Sequence, residues 1–183
     1  MIFAKIDFIN LLPFHIYLKK NIKSTQLKSI IEYKKSYPSS INKKFKKRVV
    51  DSAFISSITS RNESHLDFGI VAKDEVLSVL LIPGVEEKDF QSDTSNALAK
   101  VLNLKGKVLI GDKALNFYHE NQNIEKIDLA KEWKDKYNLP FVFAVLCFNS
   151  NKKALEKLTK KFDKRYIKIP QYILEQYSKR SNV

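Results

Sequence analysis

Three features of the sequence predict an α/β architecture of two lobes. Apolar runs of strand character alternate with helix-periodic segments, the order that builds sheets covered by helices. Two of the strand runs, Val76 to Ile82 and Phe141 to Phe148, bracket a middle section that has a strand and helices of its own. A lobe inserted between two crossing strands is the simplest arrangement, and it leaves a cleft between lobes. Inside that section, from Gln91 to Ala114, hydroxyl-rich and acidic turns stand where helices begin, and the outward N–H groups at such starts suit an anion. The expected division is 84–145 for the inserted lobe and 1–83 plus 146–183 for the first.

Each element has its own signal. Phe3 to Phe8 alternates and is β-rich, so it predicts the first strand, with Asn10 as N-cap of a helix that has Pro13 in its first turn and runs to about Lys20. Gln26 to Tyr33 reads as a second strand. Tyr37-Pro38-Ser39-Ser40 starts a basic helix through Ile41, Phe45 and Val49, and Ser52 to Ile55 is a short apolar strand ending in Ser56-Ser57. Strands follow at Phe68 to Ala72 and Val76 to Ile82, the latter closed by Pro83-Gly84. Ser92 to Asn96 precedes Ala97, Leu98, Val101 and Leu102, whose spacing marks one helix face. Lys107 to Ile110 predicts a buried strand that turns through Gly111-Asp112 into a helix with Ala114, Leu115 and Tyr118. A helix from about Asp128 to Tyr137 sets Leu129 and Trp133 on one face, and Leu139-Pro140 stops it. Phe141 to Phe148 is nearly all apolar, as expected of a strand covered on both faces. Helices at Lys152 to Phe162 and from Pro170 to about Lys179 finish the chain. Strands alternating with helices in this way predict largely parallel sheets.

Composition limits the function classes. With 183 residues and 44% hydrophobic content the chain can bury a real core, as one domain or two small lobes. Cys147 is the single cysteine, so no intrachain disulfide forms and a reducing compartment fits. The mixed start Met1 to Asp7 and the lack of any apolar run near ~18 residues predict a soluble cytoplasmic protein with no membrane partner. A net charge of +13, from 33 Lys and Arg against 20 Asp and Glu, reads as a solvated lysine surface that also draws small anions toward a cleft. Nucleic acid is not an expected partner, because the run Lys43 to Arg48 comes with no zinc spacing, glycine loop or aromatic RNA-binding motif.

No nucleophile elbow, Walker loop, dinucleotide fingerprint or zincin motif occurs, and four glycines in the whole chain make a nucleotide-phosphate loop improbable. His15, His65 and His119 have no neighbours at metal-ligand spacing, so no metal is expected. His15 reads as a surface or cap histidine in preference to a site residue. Asn10 either caps its helix or donates its amide to a substrate oxygen. Among Ser92, Thr94, Ser95 and Asn96 one hydroxyl suffices for capping and the others remain as donors. Ser56 and Ser57 repeat this logic after another strand, and Ser78 is a bonded core hydroxyl or faces the cleft. Asp112 is expected to be an N-cap, with acid or base duty as the alternative. Trp133, Phe141 and Phe143 are expected in the core, with an aromatic wall against a flat ring as the other reading.

Four segments carry a resemblance: Phe8-Ile9-Asn10-Leu11-Leu12-Pro13, Ser92-Asp93-Thr94-Ser95, Leu109 through Gly111-Asp112 to Leu115, and Asp128-Leu129 through Trp133 and Leu139-Pro140 to Val145. Together, in this order and over nearly the whole chain, they closely resemble the chorismate dehydratase family of the futalosine route to menaquinone. The resemblance implies a two-lobed, periplasmic-binding-protein-like (type 2) fold. It also implies loss of water from chorismate to give 3-[(1-carboxyvinyl)oxy]benzoate, with no metal or organic cofactor. By motif match it makes Asn10 the active-site amide and Ser92, Thr94 and Ser95 the carboxylate donors, with Ser56 and Ser78 as further substrate-binding residues. A substrate carboxylate assisted by Asn10 is the expected proton acceptor. Against that family the chain stops early, at Val183, so helices packing on the first lobe are expected to be missing. Two alternatives stand beside it: the sibling that makes 1,4-dihydroxy-6-naphthoate, expected to use a histidine base, and a non-catalytic small-anion binding protein on the same fold.

Overall fold

The computed structural model describes residues 2–26, 28, 35–163 and 167–181. It is a mixed α/β structure with two sheets. The first is ordered β1 (Phe3–Ala4), β2 (Ser52–Ser56), β7 (Phe141–Phe148) and β3 (His65–Ala72). The second is ordered β5 (Gly106–Ile110), β4 (Val79–Pro83) and β6 (Ile127–Asp128). The helices are α1 (Leu12–Asn21), α2 (Pro38–Lys46), α3 (Asp93–Val101), α4 (Asp112–Glu120), α5 (Leu129–Tyr137), α6 (Lys152–Thr159) and α7 (Gln171–Ser181), with a 3-10 turn at Ile9–Leu11 before α1.

The expectation of largely parallel sheets is corrected. Among the described strands only β1 and β2 pair in parallel, isolated bridges aside, while β7 runs antiparallel to both β2 and β3. In the second sheet β4 runs antiparallel to β5 and β6. The alternation of strands and helices did report strand direction: β1, β2 and β3 point one way, as do β5 and β6. One crossing strand is threaded between them in each sheet, β4 on entry to the second and β7 on return to the first, which makes most hydrogen-bonded neighbours antiparallel. Strand β7 also joins the two cores. Its Ala144, Leu146 and Cys147 belong to the first, and its Phe141 and Phe143 pack on the second.

The first core is aromatic, with Phe14 stacked edge-on to Phe54 and Phe162, each at 5.2 Å, and with Phe3, Ile41, Phe45, Ile55 and Leu146 fully enclosed. The second is smaller and aliphatic, built from Leu81, Leu98, Val108, Ile110 and Leu129. Phe8 touches both. Helix α7 lies on α1 through Tyr177, Leu12 and Ile16, and the Tyr177 hydroxyl donates to the Asp7 carbonyl at 2.9 Å.

Local chemistry explains the element ends. Asp128 caps α5 by accepting from the N–H groups of Ala130 and Lys131, and its other oxygen accepts from those of Val76 and Leu77, which fastens α5 to the segment leading into β4. Helix α2 begins at Pro38, whose fixed φ suits a first helical position, and buries Ile41, Asn42 and Phe45 while Lys43, Lys46 and Lys47 face solvent. The first strand is shorter than Phe3 to Phe8, continuing only as a bridge between Ile6 and Ser36. Of the expected strand Gln26 to Tyr33, residues 27 and 29–34 lie outside the described residues, and Gln26 and Lys28 are helical.

Candidate active site

A cavity of about 280 Å³ lies where the two sheets face each other. Four chain segments that begin helices meet there: the 3-10 turn with Asn10 and Leu11, Pro38 at the start of α2, the start of α3 with Ser92 and Ser95, and Gly111 ahead of α4. The end of β2 adds Ser56, and the residue before β4 adds Ser78. Ile6, Phe8, Ile70, Val76, Ile110 and Phe143 supply apolar walls. No Lys, Arg, His, Asp or Glu lines the cavity among the described residues, so its polar character comes from hydroxyls, one amide and backbone groups. Such a lining holds an anion by hydrogen bonds and helix-end dipoles instead of by ion pairs.

The expected role of Asn10 as an N-cap is corrected. The cap position of the 3-10 turn is Phe8 and that of α1 is Leu11, and neither uses a side-chain bond. The turn inserts one extra tight loop before α1, so Asn10 sits inside it, exposed and lining the cavity. Its amide is therefore available to a ligand.

On the opposite wall Ser92 is the N-cap of α3. Its Oγ accepts from the Ser95 N–H at 3.1 Å and donates to Ser95 Oγ at 2.9 Å. With that bond received, Ser95 keeps its own hydroxyl proton for a ligand. Asn96 turns away: its amide pairs with the backbone of Asp89 at 2.8 and 2.9 Å. Thr94 is buried beside these serines but outside the cavity lining, and its hydroxyl has no hydrogen-bond partner. Helical geometry explains this: Ser92 and Ser95 are three apart and share a face, whereas Thr94, one residue from Ser95, points elsewhere.

Ser78 precedes β4 and is not part of it. Its carbonyl accepts from the Gly111 N–H at 2.8 Å, so the two residues brace one another at the cavity edge. Gly111 has φ +63° and ψ −143°, and a Cβ there would stand 2.6 Å from the Phe8 ring. Only glycine allows that turn against that ring. Asp112 is not the N-cap of α4, since Gly111 occupies that position. Its carboxylate accepts from the Ile9 N–H at 3.4 Å, tying the second sheet's helix to the turn that carries Asn10.

His15 is buried in α1, not on the surface, against Phe14. His119 is exposed on α4, away from the cavity. Phe143 lines the cavity, while Trp133 and Phe141 pack on one another at 5.1 Å. Cys147 is fully enclosed, and loss of solvation pushes its thiol up to about 12, with Glu63 adding to the effect. Among the described residues no group of His, Cys, Asp and Glu forms a metal cluster, and no helix is long and apolar enough to cross a membrane.

Two supporting residues escaped the sequence reading. Asp89 is buried and accepts from the Ile110 N–H at 3.2 Å and from Lys113 at 2.7 Å, which pins the end of β5 against the loop before α3. Asn42, on the inner face of α2, bonds Ser56. A polar residue beside Ile41 and Phe45 on an apolar helix face was the available signal for Asn42. Nothing in the pattern around Asp89 marked it as buried. The walls also meet at a rim, where Ser39 donates its N–H to the Gln91 carbonyl at 2.9 Å and its hydroxyl to that of Phe90 at 2.7 Å. A larger surface hollow, about 480 Å³ beside α3, is lined by Glu86, Lys88, Lys100 and Lys105 and includes none of the predicted site residues.

A family model described as menaquinone biosynthesis matches residues 91–181. A chorismate dehydratase from Campylobacter jejuni is 50% identical over 182 residues, a match that covers 98% of this chain and 81% of that protein. Among solved structures, protein AF1704 from Archaeoglobus fulgidus covers 81% of this chain and 85% of its own, at 12% identity and a TM-score of 0.43, a likeness too loose to carry an argument.

Proposed function

The chain belongs to the chorismate dehydratase family of menaquinone biosynthesis and is a hydro-lyase that removes water from chorismate, and we propose that it does so in the cavity between its two sheets. The observation that carries this placement is the convergence of four helix starts and five neutral polar side chains, Asn10, Ser56, Ser78, Ser92 and Ser95, on one cavity. Chorismate has two carboxylates. Hydroxyl, amide and helix-end donors hold both without requiring a buried cation, and the net charge of +13 draws the dianion inward from a distance.

The reaction assigns work to each wall. Loss of the ring C3 proton leaves charge that the diene carries to the ring carboxylate, and departure of the C4 hydroxyl then makes the ring aromatic. The start of α3, with Ser92 and Ser95, suits the ring carboxylate. Donors there bind more strongly as that carboxylate gains charge, which lowers the barrier to a stepwise elimination. Opposite, Asn10 suits the second carboxylate. In this reading that substrate carboxylate takes the C3 proton and returns it to the departing hydroxide as water. The C3–H and C4–O bonds break and one water leaves. Among the described residues no histidine lines the cavity, so the histidine-based sibling reaction finds no base there.

The fold that fits best is the periplasmic-binding-protein-like (type 2) arrangement, with the inserted lobe expected at 84–145 shifted to begin with β4 and end before β7, because β4 is the central strand of the second sheet and β7 pairs within the first. Support comes from the two crossing strands, β4 entering the second sheet and β7 returning to the first, each flanked by antiparallel neighbours, and from the division of β7 between the two cores. A cytoplasmic setting suits the lone enclosed thiol. The test is incubation of the purified protein with chorismate, followed by chromatography with mass detection. An aromatic product lighter by one water, above the no-enzyme control, is expected. Saturable binding without product would leave a binding protein, and neither binding nor product would count against the placement and the activity together.

A further inference from the structure

The buried amide of Asn42 is fully committed to one residue of the cavity wall and its neighbour. Its Oδ1 accepts the Ser56 N–H at 3.2 Å, and its Nδ2 donates to Ser56 Oγ at 2.9 Å and to Thr59 Oγ1 at 3.4 Å. The sheet explains why an amide is needed there. Pairing of β1 with β2 ends at Ala53, and the Ser57 N–H turns toward β7, so the Ser56 N–H points to the side where no strand continues. Asn42, 3% exposed, supplies the missing acceptor, since a buried backbone donor left unpaired is costly.

That backbone bond also fixes the amide's orientation. Oδ1 must face the N–H, so Nδ2 must face the hydroxyl, and the choice does not depend on interpreting a lone side-chain contact. Ser56 Oγ therefore receives a hydrogen from Asn42 and cannot return its own, because Nδ2–H₂ is only a donor. The Ser56 hydroxyl proton is left for the cavity.

We infer that Asn42 is a positioning residue for the dehydration, orienting the Ser56 hydroxyl as a one-way donor to a carboxylate oxygen of the bound substrate. The inference rests on the placement of the reaction in this cavity. It also explains how a wall without cations presents a serine as a donor to an anion: an uncommitted hydroxyl can turn either way, whereas this one is held in the donating sense.

The test compares N42D, S56A and the double variant N42D/S56A for kcat and KM with chorismate across pH, with thermal melts on each. N42D keeps the acceptor for the Ser56 N–H but replaces the donor by an acceptor, so the Ser56 hydroxyl turns inward to the introduced carboxylate. A loss in kcat/KM of about tenfold or more at neutral pH is expected, the scale of one hydrogen bond to a charged group. In the S56A background the same change should cost less than about threefold, because the hydroxyl it redirects is gone. Activity of N42D should recover as the pH falls and the introduced carboxyl regains a proton to donate. Should N42D fail to fold, N42S, smaller and uncharged, carries the same comparison against S56A, without the recovery at low pH. Equal losses from the Asn42 change in both backgrounds would assign Asn42 a purely structural role and overturn the inference. S56A impaired with the Asn42 variants at wild-type activity would overturn it alone, while wild-type turnover by S56A would overturn it together with the assignment of Ser56 to the substrate site.

Discussion

On the wall built by α3, Ser92 already spends its Oγ on the Ser95 N–H and the Ser95 hydroxyl, whereas on the opposite wall Asn10 stands exposed in a 3-10 turn that no side chain caps. The first wall is prebuilt. Its serines hold the helix end together whether or not a ligand is present, so changes there affect stability and binding at once. Asn10 carries no such structural duty, so a change there should affect chemistry alone. Capping and catalysis thus draw on the same residue types, and what separates them is whether the polar atoms are already bonded.

The largest expected effect comes from Gly111, which joins the two walls through its contact with Phe8. G111A places a side chain at positive φ and against the ring, at a cost of about 2–4 kcal/mol. A fall in melting temperature of roughly 5–15 °C, with loss of turnover, is the expected result in thermal denaturation and product assays. A melt within about 2 °C of wild type would break the idea that the walls meet at this contact.

A smaller effect is expected from S92A, which removes the cap of α3 and the bond that frees the Ser95 proton. Stability should drop by about 1 kcal/mol and KM should rise, so the melt and the kinetics move together. Unchanged stability with altered KM would mean the prebuilt wall is not held by its cap.

Far from the cavity, Asp51 offers a control that should move stability only. Burial raises the pKa of its carboxyl, but the Ile2 N–H and the Ser150 hydroxyl that it accepts from outweigh this and hold it below the usual 3.8. A depressed native pKa means the contribution is present above the unfolded value and is lost as the pH falls through the native one. D51A should therefore melt slightly below wild type at pH 7, by less than about 1 kcal/mol after solvent screening, with the gap closing in acid and kcat unchanged. A gap that persists in strong acid would show that the loss is one of packing.

The smallest expected effect is none. Cys147 is enclosed and its thiol is pushed up to about 12, so a thiol reagent should leave the native protein unlabelled and fully active. Rapid labelling with loss of activity would show that the first core opens.

Much of this was legible in the sequence because the signals were local. Phe141–Phe148 follows from an apolar run, α5 from Leu129 and Trp133 four apart on one face, and the start of α3 from its cluster of hydroxyls. Strand pairing was not legible, since a chain that leaves for a second sheet and returns as β7 inserts an antiparallel neighbour that no local pattern records. Among the site residues, Ser92 and Ser95 reach the cavity and Thr94 does not, a matter of helix face that the motif alone leaves open. Asn10 was ambiguous between cap and substrate amide because both roles follow a strand end. The intervening 3-10 turn excludes the cap, and the substrate role stands as the proposal. Asn42 and Asp89 went unread because each acts through partners distant in sequence, Ser56 in one case and Ile110 and Lys113 in the other.

The most direct test of the account is the behaviour of N10A beside wild type: chorismate turnover, chorismate binding and thermal stability measured on the same preparation. The account predicts a fall in kcat of about 10²–10³, the scale for loss of one preorganised donor, with the melting temperature unchanged and chorismate still bound. Turnover near the wild-type rate would contradict it, and so would a loss of activity matched by a loss of fold.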